Sequence, residues 1–94
     1  MLENLDPLLH SQLRLAIVSF LLGVKEAEFV YIKEQTGATS GNLSVQLDKL
    51  SVAGYISIKK TFKGKRPQTL CSITKKGIEA FENYVKILGK YINK

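Results

Sequence analysis

The hydrophobic period of the chain changes at Gly54. Before it, Leu43, Leu47 and Leu50 recur at helical spacing; after it, Ile56 and Ile58 alternate with polar neighbours. The first pattern buries one stripe of a helix and the second buries one face of a strand. With only 94 residues, both must share a single core. Apolar residues make up 45% of the sequence, an ordinary share for a globular chain.

Upstream of that change the pattern is helical throughout. Asp6 followed by Pro7 predicts a helix start, with a capping side chain and then proline at the first helical position. Leu9, Leu13, Ile17, Phe20 and Val24 carry the stripe of a first helix over 7–22, which Gly23 ends. A second helix fits 26–36, with Phe29 and Ile32 inward and Gly37 as its stop. Thr39 or Ser40 caps a third helix over 40–53. Downstream, "YISI" and "TLCSI" read as two strands of a hairpin over 55–74, with Gly64 and Pro67 as turn residues between them. Thr74 caps a final helix over 75–92. The order is α-α-α-β-β-α in one domain, 1–94, mainly helical with a single β-hairpin.

Charge is distributed unevenly over this frame. The net charge is +6, which suits a polyanionic partner. Five of the 14 basic residues, Lys59, Lys60, Lys63, Lys65 and Arg66, fall at the hairpin tip. The second and third helices are joined by a short glycine-containing turn, the helix-turn-helix arrangement whose second helix enters a DNA major groove. Opposite its leucines the third helix presents Thr39, Ser40, Gly41, Asn42, Ser44, Val45, Gln46, Asp48 and Lys49. Small hydrogen-bonding side chains suit close approach to bases and phosphates. Asn42 and Gln46 are of the type that binds adenine bidentately, and Val45 suits a thymine methyl.

Other chemistry finds little support. His10 and Cys71 are the sole residues of their types and lie far apart in sequence, and there is neither a phosphate-binding loop nor a pair of catalytic acids. No enzyme activity, metal or cofactor is expected. The acidic start "MLENLD" is unlike a secretory leader, no apolar run approaches the length of a membrane span, and one cysteine fits a reducing compartment, so a cytoplasmic protein is expected.

The stretch from Thr36 to Gly77 resembles the winged helix-turn-helix domain of MarR/ArsR-type transcriptional regulators, a small stand-alone branch in particular; the opening from Leu5 to Leu21 fits that family's first helix, so the resemblance covers nearly the whole chain. Thr39, Gly41, Asn42, Leu43, Ser44, Leu47, Lys49, Leu50, Ala53, Gly54, Tyr55 and Ile56 match its recognition-helix pattern. Arg66, Pro67, Thr69, Ile73, Thr74, Lys75, Lys76 and Gly77 match its wing and the following helix start. Gln46 departs from many relatives, which carry His there. The resemblance implies a homodimeric regulator on two-fold-related double-stranded DNA. The third helix would lie in the major groove, and the wing on the backbone or in the adjacent minor groove. Metal sensing is not implied, because the third helix has no Cys or His. A winged helix serving as a protein-interaction module in a transcription complex is the alternative. An unidentified small-molecule effector between the first and last helices is compatible with either.

The final helix is too apolar for one neighbour. Ile78, Phe81, Val85, Leu88 and Ile92 form one seam; Ala80, Tyr84, Ile87 and Tyr91 form another. A helix apolar around most of its circumference is buried on more than one side. The first seam is expected to pack on its own core and the second to meet a partner. The first helix shows the same apolar excess, and Leu9, Leu13, Ala80, Tyr84, Ile87, Leu88 and Tyr91 are the dimer-interface candidates.

Overall fold

A computed structural model describes residues 2–93. Its elements in chain order are α1 (Gln12–Leu21), β1 (Ala27–Glu28), α2 (Phe29–Thr36), α3 (Ser40–Val52), β2 (Ile56–Lys63), β3 (Arg66–Ile73) and α4 (Lys75–Ile92). The strands form one antiparallel sheet of order β1-β3-β2. This is a winged helix: three helices packed on the root of a hairpin, with a long helix following it. Leu9, Ile17, Val18 and Leu21 meet Ile32, the α3 leucines Leu43, Leu47 and Leu50, and Ile56 and Cys71 of the sheet in one buried cluster. Each leucine, isoleucine or valine among them, fully buried, contributes about 1.5–3 kcal/mol.

Three boundaries differ from the sequence expectation. The helix expected over 7–22 begins at Gln12. Asp6 does accept a hydrogen bond from the Leu8 amide (2.9 Å), and a turn follows. Ser11 is then extended, with φ −150°, and breaks the helix. The break lets Leu9 reach full burial while the other Asp6 oxygen accepts from the Tyr55 hydroxyl (2.5 Å). The helix expected over 26–36 begins at Phe29, because Ala27 and Glu28 pair with Cys71 and Leu70 instead. The hairpin strands are longer than their apolar cores, and only Gly64 and Lys65 remain as the turn. Gly64 has φ 65°, the first central position of a two-residue turn that wants glycine. Pro67 is therefore a strand residue, opposite Phe62. One step beyond the Lys63–Arg66 pair, it falls where no ladder bond needs its missing N–H.

The seams of α4 are not used in the expected order: the second is covered by its own chain at Tyr84 and Ile87, and the first only at Phe81 and Leu88. Residues 3–10 lie along Tyr84, Ile87 and Tyr91. His10 Nδ1 is 3.0 Å from the Tyr84 hydroxyl, Lys90 pairs with Glu3 (2.6 Å), and Tyr91 donates to the Glu3 carbonyl (2.7 Å). Leu9, Tyr84 and Ile87 are therefore buried inside their own chain. Leu13, Ala80 and Leu88 are half-buried against the core. The open seam is the other one: Ile78, Val85 and Ile92 are 37%, 49% and 71% exposed.

Candidate nucleic-acid interface

The start of α3 is shaped by its cap. The Thr39 hydroxyl accepts from the Asn42 amide (3.2 Å), which fixes the first turn. With Leu43, Leu47 and Leu50 pinned in the core, helical geometry turns Ser40, Asn42, Ser44, Val45, Asp48 and Lys49 to solvent. Val45 is half exposed, an apolar spot on a polar surface. Gln46 departs from the expectation of a free reading residue. It is half-buried, its Oε1 accepts from Arg14 Nη1 of α1 (2.6 Å), and its Nε2 donates to Asn42 Oδ1 (3.0 Å). Arg14 Nε is held in turn by the Leu8 carbonyl (2.6 Å). Sequence reasoning missed Arg14. It sits within the apolar run of α1, and nothing in that run signals a reach across to α3.

The wing projects its cations away from the body. Strand alternation puts Lys60 on the face of Ile56 and Ile58, and Lys59 and Lys63 on the opposite face. A groove between α3 and the sheet is lined by Phe29, Ser44, Leu47, Asp48, Ile58, Lys60 and Thr69, so Lys60 stands beside the helix surface. Lys63, Lys65 and Arg66 surround the tip, all exposed. Among the described residues the one ion pair is Lys90–Glu3, so none of the five wing cations is neutralised by a carboxylate. From Lys49 to Ile78 the chain holds eight basic residues and no acidic one.

The single cysteine is buried, and the single histidine has a partner within the fold. Burial pushes the Cys71 thiol up to about 11, away from the thiolate form at neutral pH. His10 is turned towards Tyr84.

Comparison with known proteins identifies the family and the fold. The family described as "Winged helix DNA-binding domain" matches residues 13–92. An uncharacterised protein of Methanocaldococcus jannaschii is 40% identical over 76 residues, which are 81% of this chain and 83% of that one. The structure of a transcriptional regulator homologue from Pyrococcus horikoshii superposes with a TM-score of 0.85 at 30% identity, covering 92% of this chain and 85% of the other. A mutant MarR from E. coli, solved with operator DNA, shares the fold at a TM-score of 0.76 and 20% identity. It is matched over 93% of this chain and 61% of its own. The family and fold are those of DNA-binding transcription regulators, which are not enzymes. The chain belongs to the winged-helix DNA-binding domain family.

Proposed function

We propose that the protein is a homodimeric transcriptional regulator that binds double-stranded DNA sequence-specifically. In this reading α3 enters the major groove and the wing reaches the backbone or the adjacent minor groove. The observation that carries it is the pairing of two surfaces. A helix face that is polar and uncharged over its first turns stands beside a wing whose five cations have no carboxylate partners among the described residues. The lysines suit phosphates, which position without specifying sequence, whereas Arg66 suits a narrow minor groove. The operator DNA held by the MarR structure supports the same use of the fold.

Dimerisation is proposed through the open α4 seam of Ile78, Val85 and Ile92, flanked by Phe81 and Leu88. These five recur at heptad-like spacing, the pattern by which two helices pack together. Selection from a random duplex pool, followed by gel shift of the enriched sequence, tests the whole reading. A pseudo-palindromic site is expected, its half-sites about one helical turn, 10 bp, apart. Should the dimer neutralise 6–10 phosphates, affinity falls roughly 10³–10⁵-fold between 50 and 200 mM salt. No enrichment and a flat salt response would turn the assignment towards a protein-interaction module.

A further inference from the structure

The hydrogen bonds that run from Leu8 through Arg14 and Gln46 to Asn42 have a direction that is chemically forced. A guanidinium carries five donors and no acceptor. Gln46 must therefore turn its oxygen towards Arg14, as it does. Its amide nitrogen then faces Asn42, which has to answer with its own oxygen. Flipping either amide would set donor against donor. The hydrogens left free by the pair are therefore fixed: both on Asn42 Nδ2 and the second on Gln46 Nε2. The cationic origin of the chain strengthens these terminal donors, since hydrogen bonds in series polarise one another.

This edge differs from that of a free amide. A free asparagine or glutamine reads adenine by accepting from N6–H while donating to N7. Here each amide oxygen already accepts one bond inside the protein, so the acceptor that this mode needs is partly spent. Guanine, by contrast, offers two adjacent major-groove acceptors, N7 and O6. We infer that Arg14 is a specificity-determining positioning residue. By turning one acceptor site of each amide inward and leaving the amide hydrogens free, it biases Asn42 and Gln46 towards donation and directs α3 to guanine rather than to adenine. Arg14 itself is half-buried, with Nε and Nη1 both engaged inward, so its effect passes through Gln46. The inference rests on the proposed placement of α3 in the major groove and replaces the adenine preference expected from residue type alone.

The test compares the full-length parent, Arg14→Met and Asn42→Asp in selection from a random duplex pool, with side-chain amide NMR of the DNA-free proteins. The parent is expected to enrich a guanine in each half-site, with adenine there weaker by about 5- to 100-fold. Arg14→Met keeps an apolar stem but frees Gln46 to flip. It should bring the guanine-to-adenine ratio towards one and shift the Gln46 and Asn42 amide signals without DNA. Asn42→Asp, at an exposed position that cannot unfold the core, replaces the terminal donors with an acceptor and should move the preference from guanine to cytosine, whose N4 donates. Adenine enriched by the parent would overturn the inference. So would an unchanged guanine preference in Asn42→Asp, or a loss in Arg14→Met that is equal for guanine and adenine sites. If the parent enriches no sequence at all, the proposed DNA reading itself fails, which is a separate result.

Discussion

At Gly77 the backbone of α4 passes against that of Tyr55. A Cβ there would sit 2.2 Å from the Tyr55 carbonyl oxygen, and that oxygen is fixed because it accepts from the Thr74 amide. Gly77→Ala must therefore displace the helix from the hairpin root. The expected cost is about 3 kcal/mol, at the upper end for overpacking, and at about 4–8 °C per kcal/mol the melting midpoint should fall by more than roughly 10 °C. Gly89→Ala in the same helix meets nothing within 4 Å and should instead stabilise, by about 0.5–1 kcal/mol. Calorimetry of both variants checks the pair. Tyr55 also anchors the N-terminal segment. Burial, then its hydrogen bond to Asp6 and the charge there, push its hydroxyl up to about 12 from the usual 10. The unfolded chain thus loses this proton at lower pH than the folded one. The associated stability is complete below pH 10 and is lost as pH rises towards 12. Tyr55→Phe should lose less stability over that window than the parent, as followed by urea unfolding at pH 9, 10 and 11. Neither contact was legible in the sequence, because each joins residues through the fold and leaves no periodic trace.

At the scale of elements, legibility followed the range of the forces that set each boundary. The α3 stripe of Leu43, Leu47 and Leu50, the Thr39 and Thr74 caps and the stop at Gly37 are local, and all were readable. The break at Ser11 answers to the contact between Asp6 and Tyr55, 49 residues apart, and β1 exists only because β3 is there to pair with it. Both seams of α4 were visible, but which one the chain covers depends on residues 3–10, and periodicity is silent on that. In the candidate site, the exposed residues of α3 and the wing cations could be read directly. Arg14 could not, since an arginine inside an apolar stripe looks like a stray charge. The wing is the element whose role is simplest to isolate. Lys63→Ala is expected to weaken binding to all sequences alike and to lower the slope of log affinity against log salt by about 1 for each phosphate left unneutralised. Titrations at four or more salt concentrations, on selected and on random DNA, measure it; weakening confined to the selected site would give Lys63 a reading role instead.

For the whole molecule, the two faces of α4 give opposite mutational outcomes. Val85 is half exposed and Ile87 is 4% exposed. Val85→Glu should leave the subunit folded and abolish pairing, so that the sedimenting mass halves and a two-half-site duplex loses its advantage over a single half-site. Ile87→Glu should lower the melting midpoint of the subunit itself, because it buries an unpaired charge inside one chain. Sedimentation with thermal unfolding distinguishes the two; a parent already monomeric at micromolar concentration would remove the dimer from the proposal. The uneven charge has a kinetic counterpart. The segment from Lys49 to Ile78, with the wing at its centre, carries eight positive charges and no negative ones, while the rest of the chain carries six and eight, a net −2. The protein is therefore a permanent electric dipole as well as a cation. A duplex exerts a torque on such a body before any atom touches, turning the hairpin forward during approach. Encounters are then productive over a wider range of initial orientations, and the association rate exceeds that of an evenly charged +6 protein. Stopped-flow mixing should show that added salt slows arrival at the duplex.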